Sequence, residues 1–400
     1  MIPYGLHYID EEDVQAVVDV LRNGMLTQGP RVFEFEQAIV TYTGVKYAVA
    51  VSSGTAALHL ACLAADIGPG DTVFTSANTF VASANCACYV GAQPQFVDID
   101  PQTLNLDPED LHRRCSTSDG VKAIIPVHFA GLPCDMPRIR AVADECGATV
   151  IEDASHALGA RHEDGSRVGS CRFSEMTIFS FHPVKGIAAG EGGMITTNDE
   201  NLYEKLLKLR SHGICKGNFD FPGGSKADNT LMKLESALEE GELKPWYFEM
   251  QDLGYNYRIT DIQCALAMSQ LKKIDSFLSR RKEIATTYDD AFIPLDGVQR
   301  IQALSRERSS HHLYVLRLNF ENLGCSRHTF MKQLFSRGIG SQVHYIPVPM
   351  HPYYEQLGFR LKDYPNTQSY YHEALSIPIY FGLRDEEQQH IITTFGELLP

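Results

Sequence analysis

The strongest constraint on the fold is an alternation of short apolar segments with helical patterns between residues 47 and 199. Strands that alternate with helices pair mainly in parallel, and the helices cover both faces of the resulting sheet. The sequence therefore predicts an α/β domain built on a seven-stranded, largely parallel or mixed sheet. The predicted strands are Tyr47–Ser53, Thr72–Ser76, Gln95–Ile99, Ala123–Phe129, Thr149–Asp153, Thr177–Phe181 and Met194–Thr197.

Several helices also have clear sequence signals. Residues Thr55–Leu63 are rich in Ala and Leu, which are strong helix formers. Met136–Cys146 has apolar residues at helical spacing, and Gly147 after it is typical of a helix end. A long amphipathic helix is predicted from Ile262 to about Asp290.

A chain of 400 residues is long enough for two domains. We predict a hinge near residue 275, which separates a large domain (1–275) from a smaller C-terminal α+β domain (276–400). The polar, glycine-rich and then acidic segment 216–245 predicts a long surface excursion. The elements predicted in the small domain are strands at His312–Leu318 and Ser341–Tyr345 and helices at Arg327–Ser336 and Asp385–Leu398.

Charge and composition argue against several classes of function. The net charge of −15 disfavours a nucleic-acid partner, because neutralising a phosphate backbone requires clustered Lys and Arg. No apolar run reaches the roughly 18–20 residues of a membrane span, and the N-terminus lacks the pattern of a secretory signal. The ten cysteines have no zinc-site spacing, so we expect reduced thiols, no metal site and a cytoplasmic location.

Two residues at the ends of predicted strands indicate a catalytic pair. Lys185 follows one strand on a turn flanked by small residues, and Asp153 ends another strand. A solvated lysine and a helix-capping aspartate are the alternatives. However, ligands bind at the carboxyl ends of strands in open α/β sheets, and an apolar setting would lower the pKa of Lys185. A Schiff-base lysine and an aspartate paired with a ring nitrogen are what pyridoxal phosphate (PLP) chemistry requires.

The turn between the first predicted strand and its helix indicates an anion site. Gly54 allows close approach to the backbone, and Thr55 begins a helix whose first N–H groups have no intrahelical partner. Ser180, five residues before Lys185, is the right type of residue to add a hydroxyl to the same phosphate. A simple helix cap is the alternative interpretation.

Three further residues are candidates for cofactor contacts. Phe80 follows the second strand and could stack on a flat ring or belong to the core. His156 lies in the polar run after Asp153, where a satisfied core histidine is the alternative. The pattern Thr260-x-x-Gln263 predicts a capping box, which leaves the nearby Asn256 free to bind a ligand.

Six separated motifs together resemble the PLP-dependent nucleotide-sugar aminotransferases of fold type I, the DegT-like family. The resemblance extends from Leu26–Pro30 to Ile377-Pro378 and includes the segments around Gly54, Asp153 and Lys185. It implies the large domain with a seven-stranded mixed sheet and the smaller C-terminal domain of that family. Members with histidine in place of the lysine are dehydratases, so Lys185 indicates amino transfer.

The resemblance also implies a role for each candidate. Lys185 would form the Schiff base and Asp153 would pair with the pyridinium nitrogen. Asn256 would reach the phosphate of the neighbouring subunit's cofactor, which implies a homodimer with shared active sites. The remaining cofactor contacts are assigned to Gly54, Thr55 and Ser180 at the phosphate and to Phe80 and His156 at the ring.

Within the family, the segments Ser155–Gly159, Leu209–Gly213 and Gln342–Tyr345 resemble members that act at C-4 in pseudaminic acid biosynthesis. They imply transfer of an amino group from L-glutamate to C-4 of a UDP-linked 4-keto-6-deoxy-N-acetylhexosamine. Candidates for substrate contacts are His182, Tyr257, His344 and Tyr345.

Other activities remain open from the sequence. One is amination of another nucleotide-linked 3- or 4-keto sugar, such as one of the perosamine type. A simple amino-acid aminotransferase would need an arginine for the substrate carboxylate, which the sequence does not place. A PLP-binding regulator is disfavoured by the net charge and by the lack of a DNA-binding motif.

Overall fold

The computed structural model describes residues 1–215, 238–239, 242–244, 246–295, 297–302 and 306–399. Most of the segment 216–245, which the sequence predicts to be a surface excursion, lies outside the described residues. No helix in the described part of the chain is long and apolar enough to cross a membrane.

The predicted seven-stranded sheet is present and lies at the centre of the large domain. Its strands are β1 (Tyr47–Val51), β2 (Thr72–Ser76), β3 (Gln93–Val97), β4 (Val121–Ile125), β5 (Thr149–Asp153), β6 (Met176–Ser180) and β7 (Gly193–Thr197). Their order is β1-β7-β6-β5-β4-β2-β3, and only β7 runs antiparallel to its neighbours within this sheet. The sheet is therefore mixed, as predicted. The bounds of three predicted strands are in error by two residues or more: β1 ends two residues early, β3 begins and ends two residues early, and β4 begins two residues and ends four residues early.

Helices precede, separate and follow the strands of this sheet along the chain. They are α1 (Glu11–Asn23), α2 (Pro30–Thr43), α3 (Gly54–Ala64), α4 (Ala82–Tyr89), α5 (Pro108–Cys115), α6 (Met136–Cys146), α7 (Glu200–Arg210), α8 (Asp261–Lys272), α9 (Ile274–Phe292), α10 (Arg327–Ser336), α11 (Pro352–Gln356), α12 (Pro365–Glu373) and α13 (Asp385–Leu398). The predicted helix end at Gly147 is confirmed, because that residue has a φ of 67° in the left-handed region.

Apolar residues on both faces of the central sheet explain its burial. Every residue of β2 and β7 is buried, as expected for strands covered on both sides. On one face α3 packs against β6 and β7, with Leu58 and Leu60 in the core. On the other face Phe35 of α2 packs with Phe179 and Phe181. The strand ends between these two layers are left to form a site.

The long helix predicted from Ile262 to about Asp290 is instead two helices, α8 and α9, that meet at Lys273. Lys273 forms ion pairs with Asp10 and Asp13 at the start of α1, so the chain is anchored at this break. The predicted capping box at the start of α8 is confirmed, since Thr260 and Gln263 bond to each other's backbone N–H groups.

The C-terminal part contains a three-stranded antiparallel sheet, next to helices α10–α13. Its strands are β12 (Val298–Arg300), β13 (Tyr314–Leu318) and β14 (Ala374–Ile377), in the order β12-β13-β14. Four two-residue strands precede them in the chain: β8 (Ile214–Cys215), β9 (Leu238–Glu239), β10 (Glu242–Leu243) and β11 (Glu249–Met250).

The strand predicted at Ser341–Tyr345 is wrong. This segment makes one isolated bridge, between Gln342 and Ser376, and no regular ladder. Its last residue turns towards the large domain, where the N–H of Tyr345 donates to the side-chain oxygen of Asn78 over 3.2 Å. The hydrogen bond from Tyr345 to Asn78 therefore takes the place of further strand pairing with β14.

Candidate active site

A cavity of about 440 Å³ lies at the carboxyl ends of β5 and β6 and at the start of α3. Its wall is completed by Tyr4 and Gly5 near the start of the chain and by residues of the C-terminal part. Ten of the twelve candidate residues line it, although they come from segments far apart in the sequence. They are Gly54, Thr55, Phe80, Asp153, His156, Ser180, His182, Lys185, His344 and Tyr345.

The other two candidates, Asn256 and Tyr257, lie outside this cavity. Asn256 is exposed and pairs through its backbone with Ser211. The hydroxyl of Tyr257 is 3.1 Å from Nδ1 of His59, and its ring stacks on that of Tyr255. The roles suggested for Asn256 and Tyr257 therefore stay predictions.

Lys185 projects into the cavity from a turn just after β6. Its backbone N–H donates to the carbonyl of His182 over 2.8 Å, which closes the turn. Burial lowers the pKa of the Lys185 amine to about 8, although the nearby charge of Asp153 acts in the opposite direction. About one amine in ten is then uncharged at pH 7, far more than for an exposed lysine.

Asp153 is buried at the end of β5, and its carboxylate is held on both oxygens. Ser83 donates to Oδ2 over 2.7 Å, and the N–H of Ser155 donates to Oδ1 over 3.1 Å. The backbone of Asp153 is also bonded on both sides, to Pro126 and to His128. The carboxylate therefore has a fixed position at the rim of the sheet.

The neighbouring Glu152 is fully buried and belongs to a separate polar cluster. His128 lies 2.7 Å from one carboxylate oxygen, and Ser174 donates to the other over 2.5 Å. The N–H of Cys134 donates to Nδ1 of His128, so Nε2 carries the proton that His128 donates to Glu152. Burial tends to raise the pKa of Glu152, but the hydrogen bond from His128 and the proximity of His162 lower it to about 2.

The turn at the start of α3 packs so closely against its neighbours that glycine is required at two positions, Gly54 and Gly193. A Cβ on Gly54 would lie 2.9 Å from Cβ of Ser180, and one on Gly193 would lie 2.3 Å from the carbonyl oxygen of Ser53. Ser53 caps the helix by accepting from the N–H of Ala56 over 3.1 Å. The earlier N–H groups of the helix remain available for an anion beside the hydroxyl of Ser180.

Aromatic and histidine side chains form the opposite wall of the cavity. Nε2 of His156 is 2.9 Å from the hydroxyl of Tyr345, and the two rings are nearly parallel. The ring of His312 packs on His156, with 4.3 Å between centroids. Burial, together with the charge of Lys185, holds the pKa of His156 well below its usual range and lowers that of His344 to about 4. These imidazoles are therefore neutral at physiological pH.

The residues of this cavity fit a planar aldehyde that carries a phosphate, as PLP does. A low-pKa amine and a buried carboxylate line the same cavity, and it also includes the start of a helix whose first residue, Gly54, has no side chain. The ring of Phe80 is 57% exposed, and it therefore has a free surface on which a flat ring could stack.

Residues 7–396, which are almost the whole chain, match the DegT/DnrJ/EryC1/StrS aminotransferase family. The chain belongs to this family. The resemblance suggested by the sequence motifs is therefore confirmed, and so is the prediction that the chain is an aminotransferase.

Two curated relatives cover the full length of this aminotransferase. The spore coat polysaccharide biosynthesis protein SpsC of Bacillus subtilis is 38% identical over 100% of the chain and 97% of its own length. The UDP-4-amino-4,6-dideoxy-N-acetyl-β-L-altrosamine transaminase of Campylobacter jejuni is 36% identical over 100% of the chain and 98% of its own length.

Solved structures of aminotransferases confirm the fold class. PseC of Helicobacter pylori, an aminotransferase involved in the biosynthesis of pseudaminic acid, superposes with a TM-score of 0.87 at 31% identity and covers 100% of this chain and 99% of its own. The PLP form of the sugar aminotransferase Spr1654 of Streptococcus pneumoniae gives a TM-score of 0.85 at 30% identity, with 100% of both chains covered.

Several residues around the active site of this aminotransferase were not predicted. Tyr4 and Gly5 line the cavity from the N-terminal segment, and His312 and Leu313 line it from the C-terminal part. No local pattern distinguishes them, because each reaches the site through tertiary packing. The pair His311-His312, at the beginning of the predicted strand His312–Leu318, is the one signal that could have drawn attention to this region.

Proposed function

We propose that this aminotransferase uses PLP to transfer an amino group from L-glutamate to C-4 of a UDP-linked 4-keto-6-deoxy-N-acetylhexosamine. In this reaction glutamate becomes 2-oxoglutarate, and the keto group of the sugar becomes an amine. The observation that carries the proposal is the amine of Lys185 next to the carboxylate of Asp153 in one cavity. The similarity to the C. jejuni and H. pylori enzymes supports the choice of sugar.

The chain's own residues would hold the cofactor at its two ends and on one face. Lys185 would attach to the aldehyde, and Asp153 would accept a hydrogen bond from the ring nitrogen. Gly54, Thr55 and Ser180 would hold the phosphate at the start of α3, and Phe80 would cover the ring. When bound, the cofactor supplies an electron-accepting ring that carries the amino group between the two substrates.

Lys185 is suited to move a proton as well as to hold the cofactor. With a pKa of about 8, its amine can both accept and donate a proton near neutral pH. Burial is the main reason for this value, so the packing of the chain around Lys185 contributes directly to the chemistry. The neutral His156, which packs beside Tyr345, would keep the cofactor ring in place without adding a positive charge.

His182, His344 and Tyr345 line the cavity and remain the proposed substrate contacts. No arginine lines the cavity among the described residues, so the group that binds the carboxylates of glutamate is not assigned to this subunit.

A second copy of the chain would complete the site. Asn256 is exposed and lies outside its own subunit's cavity, as a residue that reaches a neighbouring site must be. We therefore propose a homodimer with shared active sites. All ten cysteines are free thiols, which supports a reducing, cytoplasmic location.

The proposal can be tested by following the absorption of the PLP-loaded protein. L-Glutamate should convert the cofactor to its amine form with release of 2-oxoglutarate, and the UDP-linked 4-keto sugar should restore the aldehyde form. Lys185→Ala should abolish both changes, whereas Lys46→Ala, at an exposed lysine, should not alter them.

Each failure would have a separate meaning. Conversion by glutamate without recovery would reject this sugar and favour another nucleotide-linked 3- or 4-keto sugar. Recovery by simple 2-oxo acids alone would favour an amino-acid aminotransferase. Failure to bind PLP would overturn the proposal.

A further inference from the structure

The carboxylate of Asp153 receives a hydrogen bond from a distant part of the chain. Ser83 lies on α4, seventy residues away, and donates to Oδ2 over 2.7 Å. The other oxygen is bonded locally, by the N–H of Ser155. Each carboxylate oxygen accepts more than one hydrogen bond, so both remain able to accept from a ligand in the cavity.

The hydrogen bonds around Ser83 have a fixed direction. An ionised carboxylate only accepts, so the single hydroxyl proton of Ser83 goes to Asp153. The hydroxyl of Thr79 is 2.9 Å from that of Ser83, and it must therefore be the donor in that pair. Ser83 lies in the first turn of α4, and Thr79 lies in the bend that leads into this helix.

This chain of hydroxyls is shielded from solvent. Ser83 is 0% exposed, Thr79 is 1% exposed and Asp153 is 4% exposed. Hydrogen bonds in such a setting are not weakened by competing water, and a hydrogen bond to a charged acceptor is stronger than one between neutral groups. Ser83 therefore fixes the orientation of the carboxylate of Asp153.

We infer that Ser83, oriented by Thr79, is a positioning residue that keeps the carboxylate of Asp153 aimed at the ring nitrogen of the cofactor and so keeps that nitrogen protonated. The inference rests on the proposed function, in which Asp153 faces that nitrogen. Without the hydroxyl of Ser83 the carboxylate would turn more freely, and its hydrogen bond with the ring nitrogen would be weaker. The ring nitrogen would then hold its proton less firmly, and the ring would withdraw electrons less strongly.

The test uses the PLP-loaded protein with cofactor labelled with ¹⁵N in the ring. In the wild type the ¹⁵N chemical shift should be that of a protonated pyridine. In Ser83→Ala it should move towards the value of an unprotonated ring, and the rate of conversion by L-glutamate should fall in proportion to the fraction of rings that remain protonated. The KM for glutamate should remain unchanged, because Ser83 does not line the cavity.

Thr79→Val is the second variant, and it keeps the test open if Ser83→Ala does not fold. It removes the donor to Ser83 while retaining the shape of the side chain, so a smaller shift in the same direction is expected. Thr75→Val is the matched control. Thr75 is equally buried, but its hydroxyl donates to the carbonyl of Ile125 over 2.9 Å and does not reach Asp153.

The outcomes separate this inference from the proposed function. A protonated ring nitrogen in both the wild type and the two variants would overturn the role of Ser83 and leave the aminotransferase proposal intact. Equal changes in Thr75→Val would show that loss of any buried hydroxyl has this effect, and would also reject the inference. A wild type that binds no PLP would instead reject the proposed function.

Discussion

Nε2 of His156 lies 2.9 Å from the hydroxyl of Tyr345, which joins the segment after β5 to the C-terminal part across the cavity. Both residues also contact neighbouring aromatic rings, so this bond fixes two walls of the site relative to each other. The relationship connects the stability of the chain to the shape of its site.

Replacing Tyr345 with Phe should therefore affect both the stability of the chain and the shape of its site. The variant leaves Nε2 of His156 buried without its partner, and we expect the free energy of unfolding to fall by about 1–3 kcal/mol. Urea denaturation measures this change, and Tyr89→Phe, at a half-exposed tyrosine, serves as the control. Equal stability of Tyr345→Phe and the wild type would show that the bond contributes nothing.

The reactivity of Lys185 in the cofactor-free protein should depend on pH in a defined way. Because its pKa is lowered to about 8, acylation of this lysine should reach half of its maximum rate near that pH, and peptide mapping can follow it. The charge of Asp153 raises this pKa, so Asp153→Asn should move the midpoint to lower pH. A midpoint near the ordinary value of 10.5 would contradict the burial argument.

Glu152 should make the free energy of unfolding depend on pH in the acidic range. Its pKa falls from 4.5 in the unfolded chain to about 2 in the folded one, so the stabilisation is fully present above pH 4.5 and is lost as the pH falls from about 4.5 to about 2. A shift of this size corresponds to roughly 3 kcal/mol. Urea unfolding of the wild type at pH 5 and pH 3.5 should differ more than that of Glu152→Gln. Parallel pH dependence in both would place the effect on other carboxyl groups.

A methyl group at residue 54 should disturb the proposed phosphate site. The new Cβ in Gly54→Ala would lie 2.9 Å from that of Ser180, so α3 and β6 must move apart. Overpacking of this kind typically costs about 1–3 kcal/mol of folding stability. Because the start of α3 and Ser180 would no longer be placed to hold the phosphate together, the affinity for PLP should also fall, by about tenfold or more, or about 1.4 kcal/mol or more of binding free energy. Fluorescence titration measures the affinity. Gly68→Ala, where no atom lies within 4 Å of the new Cβ, is the control and should bind as tightly as the wild type.

The sequence predicted the central sheet well because each strand there is a local apolar segment. Thr72–Ser76 and Thr149–Asp153 begin and end as expected. The segment Ser341–Tyr345 is also predicted as a strand but forms none, since its last N–H bonds to Asn78 near the central sheet. Long-range partners of this kind have no signal in a local pattern.

The same distinction applies to the site. Lys185, Asp153 and Gly54 could be identified because strand ends and a glycine turn mark them in the sequence. Ser83 was not singled out, because a serine at a helix start is common and its bond to Asp153 spans seventy residues. Tyr4 and His312 reach the cavity only through the packing of the C-terminal part against the sheet.

The pairing of β1 with β7 constrains when the protein can fold during synthesis. Tyr47 pairs with Thr197, so the first strand has no neighbour in the sheet until about 150 further residues have left the ribosome. Until then β1 is an unpaired apolar strand, which is prone to aggregate and is a natural target for chaperones. The glycine turn after β1 takes its final form only once β7 arrives, so a nascent chain cannot capture the cofactor before that point.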